Sequence, residues 1–309
     1  MKGPLFYSKI LLFGEYGIIK DSKGLSIPYN FFKGALKRDK NPSEMARKSN
    51  ESLKAFAGYL KNLDKELVSF DMEALENDIA HGMYFDSSIP QGYGIGSSGA
   101  LVAAIYDRYA MDKITVLENL TRDKLLQLKK IFGKMESFFH GKSSGLDPLN
   151  SYLSLPILIN SQDNIESTSI PSQNTNGKGA VFLLDSGMTG ETAPMVQIFM
   201  EKMKQEGFRN MVKNQFIKHT DACVEDFLNG NVKSLFGNLK QLSHVVFDHF
   251  KPMIPAKFHQ LWQQGIETND YYLKLCGSGG GGYILGFTED LEKAKKALKD
   301  YNLEVVYNF

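Results

Sequence analysis

Short apolar runs alternate with helical stripes along this chain. Lys9-Ile10-Leu11-Leu12-Phe13 is a compact apolar run and predicts a buried strand ending at Gly14-Glu15-Tyr16-Gly17. A second strand begins over Gly24 to Tyr29. Asn41-Pro42-Ser43-Glu44 reads as a helix start, with a cap and a proline in the first turn. Met45, Leu53, Phe56, Leu60 and Leu63 then recur at near-helical spacing and predict one apolar face. Leu67 to Phe70 reads as a strand and Asp71 to Ala80 as a short helix. Met83 to Asp86 is β-like, and Leu101 to Tyr106 opens a buried helix ending near Met111. Thr121 to Phe139 is strongly helical, with Leu125, Leu128, Phe132, Met135 and Phe139 inward.

Ser154 to Ile159 and Ala180 to Asp185 predict two more strands. The polar stretch Gln162 to Lys178 between them is a loose hairpin or an exposed loop. Beyond it the pattern turns helical, over roughly 192–206, 211–229, 232–249 and 255–267. Tyr271 to Leu275 and Tyr283 to Phe287 are strands flanking a glycine turn. A Lys-rich amphipathic helix over 289–301 and a last strand, Leu303 to Tyr307, complete the chain. Strand, glycine turn, strand, helix, strand is an α+β layer with helices on one side of a sheet. The compositional shift puts a domain boundary near 185–190, giving domains 1–187 and 188–309. No internal repeat is present.

Composition narrows the class. A chain of 309 residues with 42% apolar and 12% aromatic residues is long enough for two domains with sizeable cores. A net charge of +1 gives no argument for nucleic acid or an anionic membrane as partner. Cys223 and Cys276 lie far apart and suggest neither a metal spacing nor a disulfide framework, so a reducing, cytoplasmic setting is expected. No secretory leader is recognisable. No apolar run approaches the ~20 residues that span a bilayer.

The candidate chemistry centres on Pro90-Gln91-Gly92-Tyr93-Gly94-Ile95-Gly96-Ser97-Ser98-Gly99-Ala100, between a β-like run and a helix start. Glycines permit positive φ and let a ligand approach the main chain. The first N–H groups of a helix lack internal partners and carry partial positive charge, so such a junction suits a phosphate. The spacing alone is permissive: Gly94-x-Gly96-x-x-Gly99 and Gly277-x-Gly279-x-x-Gly282 both fit a dinucleotide fingerprint. A flexible surface turn is the plain alternative. The serines favour phosphate, since a hydroxyl at a helix start caps it or ligates Mg²⁺.

Three motifs in order resemble the GHMP kinases, the superfamily of galactokinase, homoserine kinase, mevalonate kinase and phosphomevalonate kinase. Pro90 to Ala100 resembles the family loop P-x-x-x-G-L-G-S-S-A-A, with Ile95 for Leu and Gly99 for the first Ala. Lys9 to Tyr16 resembles the opening strand K-x-x-L-x-G-E-H. Lys274-Leu275-Cys276-Gly277-Ser278-Gly279-Gly280-Gly281-Gly282 resembles the closing K-L-T-G-A-G-G-G-G. Glu136-x-x-x-His140-Gly141-x-Ser143-Ser144-Gly145-x-Asp147 is most similar to the E-x-x-x-H-G-x-P-S-G-x-D of mevalonate kinases. Leu184-Asp185-Ser186-Gly187, followed by Gly190 and Thr192, is similar to their bacterial D-T-G-x-x-G-x-T segment. Tyr16 and Ser143 stand where those kinases usually have His and Pro.

The resemblance implies a two-domain α+β fold, with an N-terminal α/β domain holding a left-handed βαβ unit and a C-terminal ferredoxin-like domain. It implies transfer of the γ-phosphate of ATP to the 5-hydroxyl of mevalonate, with Mg²⁺. Another kinase of the superfamily, such as a phosphomevalonate kinase, or an inactive binding protein of the same fold, remains the alternative. By resemblance, Gly92, Gly94, Ile95, Gly96, Ser97, Ser98, Gly277, Ser278 and Gly279 would bind nucleotide. Ser98 and Glu136 would ligate the metal, and Asp147 and Lys9 would be catalytic. Glu15, Tyr16 and Ser186 are candidates for the acceptor pocket, and His140 reads as structural. Each has a plainer reading: a helix cap for Ser98, a solvated helical acid for Glu136, a cap before Pro148 for Asp147, a tight hairpin for 277–282. The partner implied is a small-molecule alcohol such as mevalonate, without nucleic acid or membrane. The oligomeric state stays open, a homodimer included.

Overall fold

A computed structural model describes residues 4–39, 41–115 and 120–309. The first three residues of the expected N-terminal domain, part of the segment read for a leader, lie outside the described residues. The first part of the chain runs β1 (Phe6–Phe13), β2 (Gly24–Arg38), α1 (Glu44–Leu60), α2 (Met72–Ala80), β3 (Met83–Ser87), α3 (Ser97–Tyr109), α4 (Arg122–His140) and α5 (Leu146–Leu153). Then come β4 (Ile157–Ser161), β5 (Asn164–Ser167), β6 (Ala180–Asp185), α6 (Thr192–Lys202), α7 (Glu206–Met211), α8 (Ile217–Leu228) and α9 (Val232–His249). The chain closes with α10 (His259–Thr268), β7 (Tyr272–Leu275), β8 (Tyr283–Thr288), α11 (Leu291–Ala297) and β9 (Leu303–Asn308). The fold is mixed α+β.

Contacts divide the chain into two compact units, each made of three segments where the sequence suggests a single cut near 187. One unit holds 1–9, 27–91 and 95–155; the other holds 10–26, 92–94 and 156–309. The interleaving follows from strand length: β1 and β2 are long enough to run from one unit into the other.

In the first unit, Gly34–Arg38 of β2 pairs antiparallel with β3. Leu53, Phe56 and Leu60 bury the inner face of α1, while Met45 is exposed, so the predicted stripe starts one turn too early. Ser43 caps α1 by accepting from the Ala46 N–H at 3.2 Å. Pro42 therefore precedes the cap and is not in the first turn. Leu67 to Phe70 is not an extended strand: it leaves a turn at Leu67 and makes one antiparallel bridge, Phe70 to Ala110, where the Asp71 N–H donates to the Tyr109 carbonyl and the Met111 N–H to the Ser69 carbonyl, each at 2.9 Å. Helix α3 is buried along most of its length, and α4 buries Leu125, Leu128, Phe132 and Met135. Phe139 is half-buried.

In the second unit, β4 pairs with the first residues of β2 and with β5. The other sheet has the order β7-β8-β6-β9 and is antiparallel throughout. Numbered by their order along the chain within this sheet, its strands lie 2-3-1-4, which is the ferredoxin-like arrangement expected. Phe13, Phe182, Phe199, Phe227, Phe250, Trp262 and Phe287 fill its core. A turn of π-helix over Val212–Phe216 joins α7 to α8, so the predicted helix over 211–229 is continuous in direction but irregular at its start. Among the described residues, no helix is long and apolar enough to cross a membrane.

One close approach positions the site. A Cβ on Gly99 of α3 would lie 2.7 Å from the Asp147 carbonyl carbon and 2.8 Å from the Pro148 nitrogen, so α5 rests directly on the α3 backbone. Gly237 of α9, by contrast, has nothing within 4 Å of its virtual Cβ. Helix propensity favours Ala over Gly by about 1 kcal/mol at both positions. We expect Gly237→Ala to stabilise by about that amount, and Gly99→Ala to destabilise by about 1–3 kcal/mol through overpacking. Urea unfolding of the two variants reads the opposite signs.

Candidate active site

Lys9 lies within β1 and is 4% exposed. Its backbone N–H donates to the Ile95 carbonyl at 3.0 Å, which ties the end of the glycine loop to the strand. Its stem runs over Gly96, where a Cβ would meet Lys9 Cγ at 3.1 Å, and φ there is +83°. Gly96 is therefore needed twice, for the turn and for the room. The ammonium of Lys9 reaches Asp147 Oδ1 at 2.9 Å.

Asp147 sits in the first turn of α5. The residue preceding that helix is Gly145, with φ +75°, and no side chain caps it. The carboxylate thus faces Lys9 instead of serving as the cap that the Asp-Pro pair suggests. Helix α3 likewise begins after Gly96 with no side-chain cap. Its first N–H groups, at the positive end of a 13-residue helix, are left for an anion.

Ser98 does not cap its helix. Its hydroxyl donates to Glu136 Oε1 at 2.9 Å, and it lies 2.9 Å from His140 Nε2. The second oxygen of Glu136, Oε2, accepts from the Ser143 hydroxyl at 2.5 Å. Glu136 is 3% exposed, far from the solvated acid of the plainer reading. Burial raises its pKa from 4.5 to about 7, with the Asp147 charge adding to the rise. The hydroxyls of Ser143 and Ser98, and the Lys9 charge, oppose it.

His140 and Ser143 were not among the expected ligand or catalytic residues. The first was legible: Glu136 and His140 are four residues apart on a helix and share a face. Ser143 was not, because its contact depends on the path of the turn after α4.

Of the remaining expected residues, Ile95 and Ser97 lie in the first unit, and Gly92, Gly94, Gly277, Ser278, Gly279, Glu15, Tyr16 and Ser186 in the second. Gly92 and Gly94 pack backbone to backbone against the closing loop. A Cβ on Gly94 would lie 2.5 Å from the Cys276 carbonyl oxygen, and one on Gly282 would lie 2.5 Å from Tyr93 Cα. Gly277 and Gly279 both have positive φ. Ile95 is 1% exposed, which leaves only its main chain for a ligand, and Ser97 is half-buried at the start of α3.

Three expected acceptor contacts have other partners. The Glu15 carboxylate pairs with Lys274 at 2.5 Å, both side chains about 95% buried. The Tyr16 hydroxyl donates to the Ser278 carbonyl at 2.6 Å, with its ring against Phe199 and Phe250. A phenol is longer than the imidazole usual at this position, and it reaches that carbonyl. Burial pushes the Tyr16 phenol above its ordinary range. Ser186 is fully buried and donates to the Met188 carbonyl at 3.0 Å.

Comparison with known proteins shows what this arrangement is similar to. A family model described as GHMP kinases N terminal domain matches residues 54–154. That stretch is similar to the N-terminal domain of GHMP kinases. It holds Ser98, Glu136 and Asp147 of the cluster. No curated protein matches the chain. Among solved structures, mevalonate kinase of L. major in complex with R-mevalonate is 17% identical, with 100% of this chain and 99% of that chain covered and a TM-score of 0.63. The Methanococcus jannaschii mevalonate kinase is 17% identical, covers 99% and 98%, and has a TM-score of 0.59. A Streptococcus pneumoniae phosphomevalonate kinase in complex with phosphomevalonate and AMPPNP is 15% identical, covers 98% of each chain and has a TM-score of 0.63. The chain as a whole has the GHMP kinase fold.

The raised pKa of Glu136 has a consequence for the protein without divalent cation. Below 4.5 the acid is neutral in both folded and unfolded chains. Between 4.5 and about 7 the unfolded chain releases a proton that the folded chain keeps, so stability falls as pH rises through that window. In chelator, wild type should lose thermal stability from pH 5 to pH 8 more steeply than Glu136→Gln. Parallel curves for the two proteins would contradict the burial argument.

Proposed function

We propose that this chain is an ATP-dependent kinase that phosphorylates a small alcohol, with the 5-hydroxyl of mevalonate as the acceptor. The observation that carries the reading is the convergence, within one unit, of Lys9, Ser98, Glu136 and Asp147 at the uncapped start of α3. Phosphoryl transfer asks a protein mainly for positioning and charge compensation, and this cluster supplies both.

The main-chain N–H groups at the start of α3 would hold the phosphates. Asp147 would accept, or orient, the proton of the acceptor hydroxyl. Lys9, 2.9 Å from that carboxylate, supplies positive charge where the attacking oxygen becomes negative. The donor set also fits Mg²⁺. One carboxylate and one hydroxyl, with phosphates and waters completing an octahedron, match its preference, and Glu136 is a buried acid beside a second acid. Lys9, Asp147 and ionised Glu136 sum to one negative charge, a poor seat for a triphosphate until a divalent cation joins. Ser98 and Glu136 would hold that cation, which when bound neutralises phosphate charge.

A phosphorylated acceptor is the second reading, favoured by the phosphomevalonate kinase neighbour at the same TM-score as the L. major enzyme. An inactive binding protein is the third. A panel of purified acceptors with ATP and Mg²⁺ distinguishes them: turnover on mevalonate supports the first reading, turnover only on phosphomevalonate selects the second, and none on any alcohol selects the third. Asp147→Asn should bind nucleotide like wild type and lose about 10²–10⁴-fold in kcat. Near-normal turnover of that variant would rule out Asp147 as the group that handles the acceptor proton.

A further inference from the structure

We propose that Ser143 is a positioning residue for the metal-binding carboxylate of Glu136. The inference rests on the reading of Ser98 and Glu136 as ligands of a divalent cation, and it assigns the turn after α4 a part in that site.

A serine hydroxyl has one proton to give and two lone pairs to offer. In Ser143 the proton goes to Glu136 Oε2 at 2.5 Å. A lone pair receives the Gly145 N–H at 3.0 Å. The first is a short hydrogen bond to a carboxylate, the stronger class when that acid is ionised. The second fixes where the hydroxyl stands, because Gly145 is itself immobilised. Its φ is +75°, and any Cβ there would run into the Lys129 carbonyl and the Gly133 backbone. The α4 main chain therefore locates Gly145, Gly145 locates the Ser143 oxygen, and that oxygen locates one end of the Glu136 carboxylate.

The geometric result is specific. A glutamate tethered through one oxygen can pivot about its terminal bond. Tethered through both, its plane is set. Ser98 holds Oε1 at 2.9 Å and Ser143 holds Oε2, so Oε1 is the oxygen turned toward the Ser98 hydroxyl. These are the two donors that a cation would need side by side. The same turn leads directly into α5, whose first turn carries Asp147. One hydroxyl thus couples the orientation of the metal carboxylate to the start of the helix bearing the expected catalytic acid. A proline, usual at this position in the kinases the segment resembles, has no hydroxyl to do this. The device belongs to this chain.

Partners of this kind, one step removed from the metal, typically carry 10–100-fold in metal affinity. The test is Mn²⁺ binding followed by electron paramagnetic resonance, in the presence of AMPPNP and without acceptor, on the full-length protein. Ser143→Ala should raise the Mn²⁺ dissociation constant about 10-fold or more. Ser143→Thr, which keeps the hydroxyl, should stay close to wild type. AMPPNP affinity without metal should be the same in all three, and thermal melts check that the alanine variant is folded. An alanine variant with the wild-type constant overturns the inference alone. Equal weakening by alanine and threonine overturns it too, because packing and not the hydroxyl would then matter. Absence of nucleotide-dependent Mn²⁺ binding in wild type overturns the reading of the metal site, and the inference with it.

Discussion

A carboxylate buried to 3% exposure cannot keep its charge on its own, and the helical half of the first unit is arranged around that fact. Glu136 is drawn into the interior by the same face of α4 that buries Leu128, Phe132 and Met135. Two serine hydroxyls, from the start of α3 and from the turn before α5, come to its oxygens. Asp147 adds a second negative charge nearby, and the Lys9 ammonium pairs with that second acid at 2.9 Å. Each neighbouring element thus contributes one group to a charge problem that none solves alone. A site in this condition is suited to a divalent cation and a polyanion, which is the physical core of the kinase reading.

Glycine makes such crowding possible, for different reasons at different positions. Gly99 lets α5 lie on the backbone of α3, and Gly96 clears the Lys9 stem while turning the chain at positive φ. In the second unit, Gly94 and Gly282 let two loops pack main chain to main chain. The glycine-rich motifs are therefore first of all packing devices. What they offer a ligand is the set of N–H groups at the start of α3, which no side chain caps.

The second unit shows how far a side chain's role depends on its neighbours. Glu15 and Tyr16 follow a strand that resembles the family opening, yet one is paired with Lys274 and the other donates to the Ser278 carbonyl. Tyr16 holds this contact at φ +58°, a conformation uncommon for a bulky residue. Together the two contacts fasten the turn after β1 to β7 and to the loop that follows it. Neither partner is near in sequence, at separations of 259 and 262 residues.

What the linear chain settled by itself was local. Helical stripes put α1, α4 and α9 within a few residues of their ends, because apolar periodicity is set by the 3.6-residue turn and not by distant partners. The strand-turn-strand-helix-strand order of the C-terminal part was equally legible. The motif resemblance singled out Lys9, Ser98, Glu136 and Asp147, and the structure brings these four side chains together. Elements without such periodicity differ from expectation: Leu67 to Phe70 has strand-like composition but makes a single bridge, and Met45 lies on the solvent side of its helix. Only the tertiary structure decided that Asp147 faces Lys9 instead of capping α5, that Ser98 bonds Glu136 instead of its own helix, and that Ser143 completes the carboxylate's partners. These outcomes depend on distances between segments 38 to 138 residues apart or on the path of an irregular turn. No local pattern encodes them, since a hydroxyl or carboxylate bonds whichever complementary group the packing of glycines and helices brings within about 3 Å.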